Sequence, residues 1–114
     1  MHPPHDDEPA YLELLRVLED HPDYTQRQLS HAMGLSLGKT HYLLKALLEK
    51  GFVKVDNFRR NDHKLGYVYV LTASGVRERM LMTRSFLARK EREFTMLQSQ
   101  ISRLRSEIAE RPEP

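Results

Sequence analysis

Apolar residues recur along the chain with two periods, and the change from one to the other marks its organisation. Tyr11, Leu14, Leu15 and Leu18 fall at i, i+3, i+4 and i+7, which predicts a helix opened by Pro9 and stopped by His21, Pro22 and Asp23. Thr25 with Gln28 three residues later is a capping-box pair, so a second helix is expected from there to about Met33, with Leu29 and Met33 turned inward. Gly34 is placed to end it in the left-handed conformation that glycine adopts most cheaply, and Leu35 joins the same interior. Ser36 is set to cap a third helix ending at Gly51. Its stripe is Thr40, Leu43, Leu44 and Leu47; the opposite face carries Gly38, His41, Tyr42 and Lys45.

Beyond Gly51 the period drops from 3.6 to 2. "FVKVDN" alternates Val53 and Val55 with Lys54 and Asp56, and "YVYVLT" is aromatic and β-branched, so both read as strands. The polar, basic "FRRNDHKLG" between them makes a β-hairpin with a long charged tip. After Thr72 or Ser74, either of which can cap, no Gly or Pro interrupts the chain from Val76 until Pro112. A helix of about 35 residues spans roughly 50 Å, too long for the preceding domain to cover. Leu87, Phe94, Ile101 and Ile108 occupy a positions of a heptad, and Leu97 and Leu104 occupy d, with Lys90 breaking d one heptad earlier. Ile at a with Leu at d favours two parallel strands, so a second copy is the expected cover.

Two short helices joined by "GLS" form a helix-turn-helix, and a following hairpin makes it winged. The expected fold class is therefore mainly α with a small β-hairpin (α+β), a winged helix-turn-helix followed by a long C-terminal helix. Residues 1–8 read as a disordered acidic tail, 9–72 as the winged domain, 73–111 as the dimerisation helix and 112–114 as a tail.

Composition narrows the chemistry. In 114 residues there is room for one domain and an extension, and 39% apolar with 30% charged residues suits a soluble protein. Cysteine is absent, which excludes disulfides, zinc ribbons, iron–sulfur ligation and thiol redox sensing. Of the six histidines, His2 and His5 fall in the tail read as disordered, and His21, His31, His41 and His63 share no metal-ligand spacing, so neither metal nor cofactor is called for. No apolar run approaches the ~20 residues of a membrane span, and the acidic, Pro-containing start has no signal-peptide character. A cytoplasmic protein without a membrane partner is expected. Neither a Gly-x-Ser-x-Gly elbow nor paired carboxylates in a plausible pocket is present, so the chain is not read as an enzyme. "GLSLGKT" looks like the end of a phosphate-binding loop, but Gly34 and Gly38 are separated by three residues where that loop needs four, and helical spacing precedes it.

The formal net charge of +2 conceals a gradient. Residues 1–20 hold six acids against one base, 21–72 eight bases against four acids, and 73–114 nine bases against six acids. Within the third helix, Lys39, His41, Tyr42 and Lys45 supply donors with no carboxylate until Glu49, as a helix entering the major groove of double-stranded DNA requires. Lys39 and Lys45 suit phosphates, and His41 and Tyr42 suit base edges or sugar. Arg59, Arg60, His63 and Lys64 at the hairpin tip suit an adjacent groove, with Asp62 opposed to that role. Leu87, Phe94, Leu97, Ile101, Leu104 and Ile108 are the dimerisation candidates, while Arg77, Arg79, Arg84, Arg89 and Arg92 read as a solvated face. A dimer would set two recognition helices about one DNA turn apart, ~34 Å. A competing reading is a winged-helix module that docks on a protein such as polymerase or another regulator.

From Thr25 to Gly75 the chain resembles the MarR-type winged-helix regulators, through "TQRQLSHAMGLS", "LLKALLEKGFV" and "LTASG". It is similar still more closely to the exopolysaccharide-associated subgroup, through Ser36, Gly38, Lys39, Tyr42, Leu44 to Leu47, Lys50, Gly51, Lys54, Asn57, Phe58, Lys64, Tyr67, Tyr69, Leu71, Thr72 and Gly75. The resemblance implies a bacterial transcription factor, nucleoid-associated when bound, with exopolysaccharide genes as a target. It also implies that Ser36, Gly38, Lys39, Tyr42 and Lys45 contact DNA with the wing around Lys64 assisting. The subgroup has Asn where His41 stands, so the base read there is expected to differ. The family at large dimerises through both terminal regions and often senses small phenolic ligands. This chain has a short N-terminal part and one C-terminal helix, so its effector is left open.

Overall fold

The computed structural model describes residues 7–56 and 67–111. In chain order the elements are α1 (Glu8–Asp20), α2 (Gln26–Met33), α3 (Leu37–Glu49), β1 (Val53–Asp56), β2 (Val68–Leu71) and α4 (Ala73–Glu110). Contacts divide the chain into two compact units, one ending at Met82 and the other beginning at Thr83.

The first unit is a three-helix cluster backed by the hairpin. Its α1 starts at Glu8, one residue before Pro9, and buries the predicted stripe of Tyr11, Leu14, Leu15 and Leu18 together with Val17. Leu29 of α2, Leu43, Leu44 and Leu47 of α3, Val53 and Met82 complete the core. Each such side chain removed from water contributes about 1.5–3 kcal/mol, which makes this cluster the main source of the unit's stability. Thr40 is fully buried among these leucines, and its hydroxyl is satisfied by donating to the Ser36 carbonyl at 2.9 Å.

Capping follows the sequence closely. Thr25 accepts from the Gln28 amide while the Gln28 side chain accepts from the Thr25 amide, completing the capping box. Gly34 closes α2 at φ 67°, and the Ser36 hydroxyl accepts from the Lys39 amide at 3.0 Å to open α3. At the far end of α3, Lys50 is the cap residue and Gly51 turns the chain at φ 78°.

Strands β1 and β2 pair antiparallel, with Val53 opposite Leu71 and Asp56 opposite Val68. An isolated bridge from Thr25 to Val68 ties the start of α2 to the hairpin. The alternation that groups Val53 with Val55 is only half realised, since Val53 is buried while Val55 is 43% exposed. Period 2 assigns both valines to one face but not the point along the strand where the core stops covering it. Thr72 is the residue that caps α4: its hydroxyl accepts from the Gly75 amide at 3.0 Å and donates to the Gly51 carbonyl at 2.6 Å. Ser74 adds a second donor to that carbonyl at 3.1 Å. A Cβ on Gly75 would lie 2.0 Å from the Phe52 carbonyl oxygen, so this helix start requires glycine.

The second unit, from Thr83, continues α4 to Glu110. Leu87, Phe94, Met96, Leu97, Ile101, Leu104 and Ile108 are all exposed, from 41% at Ile101 to 69% at Ile108. Lys90, at the heptad position that breaks the stripe, pairs with Glu93 at 3.2 Å and sits 5.1 Å from the Phe86 ring centroid.

Candidate nucleic-acid interface

The two halves of the helix-turn-helix owe their geometry to local chemistry: a capping box opens α2, a left-handed glycine closes it, and a serine cap opens α3 three residues after the last residue of α2. The buried stripe of Thr40, Leu43, Leu44 and Leu47 then fixes how α3 is rotated. What remains outward is Ser36, Gly38, His41, Tyr42 and Lys45, all exposed, with Lys39 at the edge of that face. The structure thus places Gly38, His41, Tyr42 and Lys45 on the exposed side of α3, with Ser36 at its cap and Lys39 partly exposed beside them. The hydroxyl oxygen of Ser36 is already engaged as the cap, and at Gly38 none of the described residues comes within 4 Å of where a Cβ would be.

Lys39 is the residue whose surroundings the sequence does not reveal. Its ammonium pairs with the Asp7 carboxylate at 3.0 Å and lies 5.1 Å from the Tyr42 ring centroid. A face read as free of carboxylates until Glu49 therefore receives one from the beginning of the chain. Tyr11 lies beneath this cluster; burial pushes its phenol above the ordinary value, and Tyr42 and Asp7 push it the same way. His41 also has a partner, its Nδ1 lying 3.4 Å from Gln26 Oε1, while Gln26 Nε2 donates to the Leu37 carbonyl at 3.4 Å. Asp7 and Gln26 are the two residues of this surface that sequence reasoning passes over. Gln26 had one available signal, its position as the first helical residue after the Thr25 cap, whereas Asp7 had none.

Arg59, Arg60, His63 and Lys64 lie outside the described residues, and Asp56 and Tyr67 are the described residues nearest to them. Leu87, Phe94, Leu97, Ile101, Leu104 and Ile108 belong to the second unit. Among the described residues no group of three His, Asp or Glu could hold a metal ion, and no helix is long and apolar enough to cross a membrane.

The sequence pattern of the family described as winged helix-turn-helix DNA-binding matches residues 12–54, which contain α2, α3 and most of α1. No curated protein matches the sequence. Among solved structures, a mutant MarR from E. coli aligns with TM-score 0.68 and 18% identity, covering 91% of this chain and 76% of that one. The transcriptional repressor CouR, bound to a 23-mer DNA duplex, gives TM-score 0.68 at 20% identity over 92% of this chain and 74% of its own. Streptococcus pneumoniae FabT in complex with DNA gives TM-score 0.58 at 20% identity over 89% and 75%. At such identities the likeness is one of fold: the chain is a winged helix-turn-helix followed by a long C-terminal helix, in the arrangement of MarR.

Proposed function

We propose that this protein is a dimeric, sequence-specific DNA-binding transcriptional regulator that inserts α3 in the major groove and lays the wing, residues 58–66, on the adjacent groove or backbone. The observation that carries this reading is the outward face of α3. Gly38, His41, Tyr42 and Lys45 are exposed there, and among the described residues nothing requires a glycine at position 38. A glycine without an internal steric reason is what close approach of a phosphate backbone to a helix start would need. Lys39 and Lys45 supply phosphate contacts for affinity, and His41 and Tyr42 reach base edges or sugar. Arg59, Arg60, His63 and Lys64 add donors at the wing.

Dimerisation through Leu87, Phe94, Leu97, Ile101, Leu104 and Ile108 is supported by their exposure, since a stripe of this length rarely stays wet in a monomer. Two copies give the site twofold symmetry and an operator with two half-sites. Exopolysaccharide genes are the proposed target, on the resemblance of "TQRQLSHAMGLS" and the residues following it to that subgroup of regulators.

The test is fluorescence anisotropy of the full chain on its own promoter DNA and on a scrambled duplex at 50 and 200 mM salt. Tight preference for the promoter, weakened ~10³-fold across that range, is the expected result for a protein neutralising about six phosphates. Equal, weak binding to both duplexes overturns the reading. It would leave the exposed stripe as the feature to pursue, in a module whose partner is another protein and whose binding barely responds to salt.

A further inference from the structure

The first residue of α2 and the recognition face of α3 meet through one pair of side chains. Gln26 Nε2 donates to the Leu37 carbonyl at 3.4 Å, and Gln26 Oε1 lies 3.4 Å from His41 Nδ1. A carbonyl oxygen only accepts, so the amide must turn its NH2 group to Leu37 and its oxygen to His41. The amide oxygen also only accepts, so the imidazole nitrogen that faces it carries the proton. A neutral imidazole has one N–H, which leaves Nε2 with a lone pair on an exposed side chain of the outward face.

The geometry points to Gln26 as a positioning residue that sets the His41 tautomer, so that Nε2 acts as an acceptor and selects a base bearing an exocyclic amine, adenine or cytosine. This rests on the DNA-binding reading of α3. In the major groove adenine N6 and cytosine N4 are donors, whereas guanine O6 and N7 and thymine O4 would set a lone pair against a lone pair. One neutral hydrogen bond, made or left unmade, corresponds to a preference of about fivefold at that base. If Gln26 is lost, the ring is free to carry its proton on Nε2 and offer a donor instead, so the preference disappears although His41 is intact.

Two measurements on the full chain decide this, both in buffer basic enough for imidazole to be neutral. Long-range ¹H–¹⁵N correlation spectra, with His41 assigned through His41→Ala, are expected to show the Nδ1–H form in the wild type and a shift toward Nε2–H in Gln26→Ala. Gln26→Glu, whose carboxylate also accepts from Nδ1, should retain the wild-type form. Selection from a randomised duplex library should enrich adenine or cytosine at one position of each half-site, and both His41→Ala and Gln26→Ala should lose that enrichment. Gln26→Glu should keep it at lower overall affinity. An Nε2–H tautomer in the wild type, or a Gln26→Ala variant unchanged in both tautomer and base preference, overturns the inference. A library from which the wild type enriches nothing overturns the DNA-reading function and the base preference with it; the tautomer spectra, which need no DNA, still decide the Gln26–His41 pairing.

Discussion

Helix α3 and the second half of α4 carry apolar stripes of the same helical kind, with opposite outcomes. In α3 the leucines at 43, 44 and 47 are at most 1% exposed, because α1, α2 and β1 surround them. In α4 from Leu87 onward, side chains of equal hydrophobicity are all exposed. Periodicity says which face of a helix is apolar; whether that face is satisfied depends on what else the chain has to set against it. For α3 the apolar side is covered within the chain, and the outward face is exposed, with Lys39 paired to Asp7 and His41 beside Gln26. For the second unit the apolar face is left exposed, which is why the proposed seam is placed there.

The comparison breaks most sharply at residues on which the first unit depends. Gly75→Ala would force a methyl group into the Phe52 carbonyl, and a loss of roughly 3 kcal/mol is expected in chemical denaturation. Leu44→Ala should cost about 2–5 kcal/mol, whereas Leu104→Ala should leave the melting of the winged unit unchanged and appear only in self-association. Equal destabilisation by the two leucine variants would show that the second stripe has cover within its own chain. Next in size is Ile101→Asp, which is expected to convert a sedimenting dimer to a monomer while near-ultraviolet dichroism of the winged unit is retained. A variant that still sediments as a dimer would move the seam elsewhere.

Smaller effects sharpen the account of α3. Lys45→Ala should weaken binding to all duplexes alike and lower the salt slope by about one, while Gly38→Ala should leave folding intact and weaken DNA binding. A Gly38→Ala protein with full affinity would remove the argument for close backbone approach. Smaller again is Asp7→Asn: releasing Lys39 from an ion pair of the partly exposed kind should change stability by less than about 1 kcal/mol and raise affinity for random DNA about twofold to fivefold. The smallest concerns Glu13, whose carboxyl is held below its ordinary value by hydrogen bonding to Arg16. A depressed carboxylate stabilises the fold above its unfolded-state value and loses that contribution as pH falls through the folded one. Arg16→Ala should return the Glu13 midpoint, followed by NMR, toward the ordinary value.

Helix boundaries and caps were legible in the sequence because they are set by neighbours within four residues. The Thr25–Gln28 box, the left-handed Gly34 and the Ser36 cap all occur where local pattern predicts them. The stripe of α3 was legible too, since 3.6-residue periodicity fixes its rotation, and the outward set of Gly38, His41, Tyr42 and Lys45 follows from it. What the chain brings together across long separations was not legible. Asp7 reaches Lys39 over 32 residues, and Gln26 reaches His41 over 15. Phe52 leaves no room for a side chain at Gly75, and Val55 lies past the edge of the core although it alternates like Val53. By itself the sequence determined which surfaces are apolar, which are donor-rich and which residues cap α2 and α3. Tertiary structure alone decided which polar groups on those surfaces already have partners, because contacts between distant segments depend on how elements pack rather than on spacing along the chain.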